Sequence, residues 1–296
     1  MRIVSLVPHA TELLFALGLG GDVVAVTHEC DFPQEATRLP HITRDVLPPG
    51  LSAGEIDAAV RERTQQGQAI YELDERALTR LEPDLIVTQA LCQVCAVSYD
   101  DVVKVAERIP STPRVISLDP KTIGEAMGDI RTIAQATGAR DAALDLVTRQ
   151  RKRIDDVRRA VKGLTRPTVA ALEWLDPVFV AGHWTPQLID LAGGEDVLGL
   201  PGEHSAESSW AAVAAAGPDV AVVMPCGYDG PRALEEAGRY RDRLAATGAK
   251  RIVAVDAAAY FSRPGPRLVD GLELMAHVLH PDAVPDAPAA VYEVEV

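Results

Sequence analysis

Short apolar runs alternate with amphipathic stretches through the first third of the 296-residue chain, and this alternation limits the possible folds most strongly. Residues 3–7, 23–27 and 85–88 form apolar runs that predict strands. The stretch 10–17, which ends before Gly18, predicts a helix. This rhythm favours an α/β fold with a mostly parallel sheet. Ligands of such sheets bind beyond the carboxyl ends of the strands, so the loops there are candidate sites.

A long helical periodicity at residues 122–161 separates this region from a second one. Gly138 predicts a break in it, and the remaining helix, at about 1.5 Å per residue, is long enough to be a rigid connector. The strand and helix rhythm resumes after residue 163. We therefore predict an N-terminal α/β lobe at 1–120, a linker with a long backbone helix at 121–163, a C-terminal α/β lobe at 164–280 and an extended or disordered tail at 281–296.

The charge of the chain excludes nucleic acid as a partner. Its 43 acidic and 29 basic residues give a formal net charge of −14, whereas binding to a phosphate backbone needs clustered cations. No apolar run approaches the ~18 residues that a membrane span requires, so we expect no membrane insertion. The apolar run at 3–7 is too short for the core of a signal peptide, and we expect a cytoplasmic location unless the chain was trimmed.

The 4 cysteines all fall in loops that follow predicted strands. Cys92 and Cys95 form a C-x-x-C pair, a spacing that brings two thiolates onto one metal or closes a redox disulfide. Together with Cys30 and Cys226 they would suit zinc or an iron–sulfur cluster. The alternative is that each cysteine is a small buried apolar residue. The second C-x-x-C of a strong zinc signature is missing from the sequence.

Aromatic residues make up only 4% of the chain, yet its 3 tryptophans all lie in the second predicted lobe. Rigid aromatic walls favour a large flat ligand. Core packing is the alternative, and it competes least at Trp184, which stands in a loop with Gly182 and Pro186. The candidate walls are Trp174, Phe179, Trp184, Tyr260 and Phe261.

Polar side chains of the same loops are candidates for binding the metal or the rim of such a ligand. His183 is the best candidate for an axial imidazole ligand, with a hydrogen-bonded surface histidine as the alternative. Arg263 would offer a permanent positive charge to a carboxylate, amide or phosphate, unless it forms a structural ion pair. The predicted binding set is completed by His9, Tyr71, Glu173 and Tyr228.

Common catalytic motifs are missing from the sequence. It has no G-x-S-x-G elbow, no G-x-x-x-x-G-K-[ST] loop, no H-E-x-x-H and no G-x-G-x-x-G after a strand. We therefore predict a binding protein rather than an enzyme.

Four segments resemble the cobalamin- and iron-complex-binding proteins of ABC importers, which include siderophore and haem receptors. They are IVSLVPHATELLFALG at 3–18, LEPDLIV at 81–87, LAGGEDV at 191–197 and AGPDV at 216–220. The resemblance extends to about His280 and implies two α/β lobes joined by one backbone helix, with the ligand between the lobes. The cysteine-bearing loops are similar to a branch that is described as cobalamin-binding.

The resemblance also implies a permease partner, which family members contact through an acidic residue on each lobe. Arg76 and Ala211 stand near those positions, so we do not predict permease docking. Three hypotheses follow. The first is a cytoplasmic protein that binds cobalamin for storage, transfer or sensing. The second is an exported importer component for an iron complex or haem, and the third is a metal- or iron–sulfur-binding redox protein.

Overall fold

The computed structural model describes residues 1–90 and 99–296 and divides into two compact units. Unit 1 contains Met1–Pro120 and Glu125–Val147, and unit 2 contains Lys121–Gly124 and Thr148–Val296. Each unit has its own sheet and helices, which confirms the predicted α/β fold class. The domain boundaries predicted at residues 120, 163 and 280 stay a prediction.

Unit 1 is built around a sheet of four parallel strands in the order β2-β1-β5-β6. A separate antiparallel pair is formed by β3 and β4. The strands are β1 (Ile3–Ser5), β2 (Val23–Ala25), β3 (Thr43–Asp45), β4 (Tyr71–Leu73), β5 (Leu85–Thr88) and β6 (Arg114–Ser117). The helices up to β6 are α1 (Pro8–Ala16), α2 (Ala53–Gln65), α3 (Glu75–Leu81) and α4 (Tyr99–Ala106).

Both faces of the unit 1 sheet are buried. Ile3 and Val4, neighbours on β1, are both 0% exposed and belong to different core clusters. Ile3 packs in the cluster that contains Leu14 of α1, and Val4 packs in the cluster that contains Leu78 of α3. Burial on both faces explains why parallel strands are continuously apolar. It leaves the ends of the strands as the places where polar loops gather.

Two consecutive helices follow β6 in the sequence and precede the strands of unit 2. They are α5 (Ile123–Thr137) and α6 (Arg140–Ala160). Gly138 separates them with a φ of +81°, a conformation that glycine adopts without strain, as predicted from the sequence. The 21 residues of α6 begin in unit 1 and end in unit 2. Within unit 2, Arg153 of α6 forms a hydrogen bond of 2.8 Å to Glu273 and also pairs with Asp270.

Unit 2 contains a mixed sheet in the order β10-β8-β7-β11-β12-β13, with β9 paired to β7. The central strands β7, β11 and β12 are parallel to one another, whereas β8 is antiparallel to β7, β10 is antiparallel to β8 and β13 is antiparallel to β12. The strands are β7 (Thr168–Leu175), β8 (Val178–Val180), β9 (Glu195–Asp196), β10 (Ala206–Glu207), β11 (Val220–Val223), β12 (Arg251–Ala254) and β13 (Tyr292–Glu293). The helices are α7 (Thr185–Leu191), α8 (Trp210–Ala216), α9 (Gly230–Arg239), α10 (Arg241–Ala245), α11 (Ala257–Tyr260) and α12 (Leu268–Leu279).

The C-terminal segment, predicted to be an extended or disordered tail, supplies a strand to this sheet. Val253 and Ala254 of β12 pair with Glu293 and Tyr292 of β13. The Tyr292 ring packs against Gly230, where any side chain would collide with it. The extended alternative is therefore the one adopted at β13, because this strand covers the edge of β12.

Candidate functional site

The predicted site residues are distributed over both units. His9, Cys30 and Tyr71 lie in unit 1, and the others that the structure describes lie in unit 2. Cys92 and Cys95 lie outside the described residues. Within 1–90 and 99–296, no group of three or more His, Cys, Asp or Glu side chains is arranged to hold a metal ion. The four-cysteine metal site stays a prediction.

Cys30 is buried in the core of unit 1. Its side chain is 2% exposed, and its Sγ lies 3.1 Å from Thr11 Oγ1 and 3.3 Å from Thr27 Oγ1. This environment fits the alternative of a small structural thiol. His9, in the first turn of α1, is 3% exposed.

The loop after β2 forms a polar and aromatic cluster with β4. Tyr71 Oη donates a hydrogen bond of 2.9 Å to Glu29 Oε1, and the rings of Tyr71 and His28 lie 5.1 Å apart. Nδ1 of His28 lies 2.8 Å from Thr43 Oγ1. Farther along the same loop, the Phe32 side chain is 44% exposed. Of these residues only Tyr71 is in the predicted site set. His28, Glu29 and Phe32 also lie in a loop that follows a strand, which is the same signal for a candidate site.

The loops after the parallel strands of unit 2 are joined into one edge, which we call the strand-end edge. The backbone N–H of Cys226, after β11, donates to the carbonyl of Glu173 on β7 at 3.0 Å. The N–H of Gly227 donates to Ser262 Oγ, after β12, at 3.3 Å. The strands meet here because their parallel carboxyl ends point the same way. The edge brings together Glu173, Trp174, Cys226, Tyr228, Tyr260, Phe261 and Arg263.

Aromatic rings line this edge at the β7–β8 hairpin. Trp174 faces Phe179 across the hairpin register and meets Tyr228 edge to face, with 5.4 Å between ring centroids. The Arg232 guanidinium lies 3.6 Å from the centroid of the Tyr228 ring. Trp174 and Phe179 are partly exposed, whereas Tyr228 is buried. Exposed faces on a ring that neighbours hold in place suit stacking against a flat ligand.

The structure buries two of the predicted aromatic walls. Trp184 is 6% and Phe261 1% exposed, and Trp184 Nε1 donates a hydrogen bond of 2.8 Å to the Phe261 carbonyl. The sequence favours a ligand wall over core packing at Trp184, whereas the structure buries the ring, as the core-packing alternative expects, and the role of Trp184 as a ligand wall stays a prediction. The position of Trp184 in a loop does not indicate this burial, because the ring is held inside by a hydrogen bond to a residue 77 positions away in the sequence. Tyr260 and Arg263 remain partly exposed.

A second contact joins two segments of unit 2. The loop before α7, which contains His183, contacts the segment before β10. The N–H of His183 donates to the Glu203 carbonyl at 2.6 Å, and the N–H of Gly202 donates back to the His183 carbonyl at 2.9 Å. His183 Nε2 then lies 3.1 Å from Nδ1 of His204. Burial, followed by the charges of His204 and Lys121, lowers the pKa of His183 and favours the neutral imidazole.

The partly buried carboxyl of Glu173 connects the strand-end edge to the contact between His183 and His204. Ser205 Oγ accepts a hydrogen bond from the N–H of Gly182 at 3.2 Å and donates its own proton to the Glu173 carboxylate. Burial, reinforced by the charge of Asp196 and opposed by the Ser205 hydrogen bond, raises the pKa of Glu173 to about 7. Glu173 therefore joins β7 to the His204 segment.

Sequence reasoning missed His204 and Ser205. Their segment follows β9, a strand of only two residues without an apolar run, so the search of strand-end loops passes over it. The proximity of His183 to His204 depends on backbone contacts between residues about twenty positions apart. Spacing alone carries no signal for such a contact.

A family model for periplasmic binding proteins matches residues 3–258 of this sequence. The chain belongs to the periplasmic binding protein family. Among curated relatives, an uncharacterized ABC transporter substrate-binding lipoprotein of Bacillus subtilis is 24% identical over 95% of this chain and 80% of its own length. The vitamin B12-binding protein of Vibrio cholerae is 26% identical over 67% of this chain and 60% of its own length.

Solved structures of periplasmic binding proteins share the fold. The vitamin B12-binding protein BtuF of Vibrio cholerae is 20% identical with a TM-score of 0.69, covering 94% of this chain and 96% of that one. A haem-binding protein from Pseudomonas aeruginosa is also 20% identical, with a TM-score of 0.72 and coverage of 100% and 98%. Members of this periplasmic binding protein family bind substrates without catalysis.

The two positions that the sequence resemblance implies to lie near permease contacts are exposed on helices of this periplasmic binding protein. Arg76 is exposed on α3, and Ala211 is exposed on α8. The nearby acidic side chains Glu72 and Glu75 form ion pairs with arginines of unit 1. In 1–90 and 99–296, no helix is long and apolar enough to cross a membrane.

We expect Gly182→Ala to destabilise unit 2 of this periplasmic binding protein. A Cβ at Gly182 would lie 2.5 Å from both the Glu203 carbonyl oxygen and the Ser205 nitrogen, which are backbone atoms that cannot turn away. Such overpacking costs about 1–3 kcal/mol of unfolding free energy. Gly238→Ala in α9 is the control, since a Cβ there meets nothing within 4 Å. Urea unfolding followed by tryptophan fluorescence measures both variants, and equal stability would contradict the prediction.

Proposed function

We propose that the chain is a substrate-binding protein whose ligand is a corrinoid, cobalamin, which it binds for storage, transfer or uptake. The observation that carries this proposal is the strand-end edge of unit 2, where partly exposed aromatic side chains lie in the same loops as polar and charged side chains. The family of the chain and its vitamin B12-binding relatives in Vibrio support the same ligand class. Trp174, Phe179 and Tyr260 would stack on the macrocycle.

Arg263 fits the polar rim of such a ligand. It is partly exposed at the strand-end edge and carries a permanent positive charge. Cobalamin presents amides and one phosphate at its periphery, and haem presents two propionates, so this side chain serves either ligand. Haem is the second candidate, because solved haem-binding proteins share the fold over the whole chain.

Titration with cobalamin and with haem, in separate experiments, tests the proposal. The 3 tryptophans of the chain all lie in unit 2, so their fluorescence reports ligand binding there. We expect quenching and a change in the corrin absorbance at ligand concentrations of tens of micromolar or less. Saturation by haem alone would identify the second candidate, and no response to either ligand would contradict the proposal.

We expect Trp174→Ala to weaken cobalamin binding by about fivefold, because stacking on one aromatic ring is worth roughly 1 kcal/mol. Trp210→Ala is the matched control. Trp210 is also partly exposed, but it stacks on Tyr240 at 6.3 Å between centroids. Isothermal titration calorimetry of both variants measures the difference. Equal affinities would remove the strand-end edge from the proposed site.

Delivery to a permease and the cellular location belong to the same proposal. A substrate-binding protein of an importer hands its ligand to a permease, and Arg76 and Ala211 lack the acidic groups expected for that contact. We propose a cytoplasmic location, which fractionation of the producing cells tests. For the metal or redox alternative, metal analysis of anaerobically purified protein is decisive, since a metal-free sample with four titratable thiols would rule it out.

A further inference from the structure

Two imidazoles of unit 2 are held side by side at its surface. Nε2 of His183 and Nδ1 of His204 are 3.1 Å apart, and the ring centroids are 4.9 Å apart with the planes nearly perpendicular. His183 is partly exposed and His204 is exposed, so the pair is reachable from solvent. The strand-end edge does not account for this pair, because the flat ligand proposed there needs at most one imidazole.

The backbone fixes the two histidines in this arrangement. Reciprocal hydrogen bonds join His183 to Glu203 and to Gly202, and Gly182 allows the two segments to approach more closely than a side chain would permit. His183 adopts a φ of +50°, which is unfavourable for a residue with a side chain. A local conformation of this cost persists only where the surrounding contacts impose it. The proximity of the rings is therefore built into the fold.

The two ring nitrogens form a hydrogen bond with each other, and the same separation is compatible with a chelate. With metal–nitrogen bonds of about 2.1 Å, two nitrogens 3.1 Å apart subtend an angle of about 95° at the metal. This angle is close to the right angle of an octahedral or square-planar ion, the geometry of Ni²⁺ and Cu²⁺ with nitrogen ligands. His204 is exposed, and binding of an ion would replace the hydrogen bond between the two rings with a bond from each of the two nitrogens to the ion.

We propose that His183 and His204 form a two-imidazole site for a divalent transition-metal ion of the Ni²⁺ or Cu²⁺ type, with water at the remaining positions. Haem iron and corrin cobalt leave only positions on opposite faces of the macrocycle, so both histidines cannot bind one such metal side by side. The site is thus distinct from the proposed tetrapyrrole function. The net charge of −14 favours the approach of cations.

Titration of the tetrapyrrole-free protein with Ni²⁺, after its thiols have been blocked by alkylation, tests this proposal, because imidazole is a suitable ligand for Ni²⁺. We expect one site by calorimetry, and an affinity at least about tenfold lower in both His183→Ala and His204→Ala. His41→Ala, which removes an exposed histidine of unit 1, should bind like the wild type.

His204→Gln separates metal binding from a purely structural pair. The glutamine amide keeps a hydrogen-bonding group near His183 but is a poor ligand for Ni²⁺, so the thermal midpoint should be retained while Ni²⁺ affinity falls. The proposal is overturned if the wild type binds Ni²⁺ no better than the His183→Ala, His204→Ala double variant. It is also overturned if His204→Gln binds Ni²⁺ like the wild type. Neither result depends on whether cobalamin or haem binds.

Discussion

Trp184→Ala is expected to lower the unfolding free energy of unit 2 by about 3–5 kcal/mol, the usual cost of truncating a buried aromatic side chain. The indole is 6% exposed, and its N–H donates to the Phe261 carbonyl at 2.8 Å. The variant leaves a cavity and removes the hydrogen bond that joins the loop before α7 to the end of α11. Urea unfolding followed by the fluorescence of the two remaining tryptophans measures the loss.

Trp184→Phe separates packing from hydrogen bonding. Phenylalanine keeps most of the ring volume but leaves the Phe261 carbonyl oxygen unsatisfied, which costs about 1–3 kcal/mol. Trp210→Ala, at a partly exposed ring, should cost less than Trp184→Ala. If Trp184 served only as a wall for a flat ligand, the alanine variant would unfold like the wild type and lose only ligand binding, and our interpretation of its burial would be wrong.

The sequence predicts the fold well where periodicity carries the signal. The apolar run at residues 3–7 contains β1, and Gly138 separates α5 from α6 as predicted. The strands β3, β4 and β13 are not predicted, because each is only two or three residues long and most of their residues are not buried. In β3 only Thr43 is buried, so no alternation stands out against the neighbouring loops.

The candidate site is only partly visible in the sequence. The rule that ligands bind after parallel strands groups the loops of Glu173, Cys226 and Tyr228, since topology brings these loops together, and the role of these residues in binding stays a prediction. It cannot distinguish Trp174, which stays partly exposed, from Trp184, which is buried, because burial depends on tertiary contacts. It also cannot find Ser205, whose contact with Glu173 spans 32 positions and requires a glycine at residue 182. Sequence thus locates the edge, and packing decides which of its side chains are available.

Glu173 makes the stability of unit 2 depend on pH. Its pKa is about 7 in the folded protein, against an ordinary value of 4.5, so between these values the folded state binds more protons than the unfolded state. The free energy of unfolding therefore falls as the pH rises through this window, by up to about 3 kcal/mol, and levels off above it. The stabilisation that the protonated Glu173 carboxyl contributes is complete below pH 4.5, the ordinary pKa of a glutamate side chain.

Glu173→Gln should remove this dependence, because the amide resembles the protonated carboxyl and its oxygen still accepts the Ser205 proton. We expect the variant to match the wild type near pH 5 and to exceed its unfolding free energy by up to about 3 kcal/mol at pH 8. Glu203→Gln, at an exposed carboxylate of the neighbouring segment, is the control and should follow the wild type. Parallel curves for wild type and Glu173→Gln would mean that the carboxyl is already ionised in the folded protein, and the Ser205 contact would then be an ordinary charge-assisted hydrogen bond.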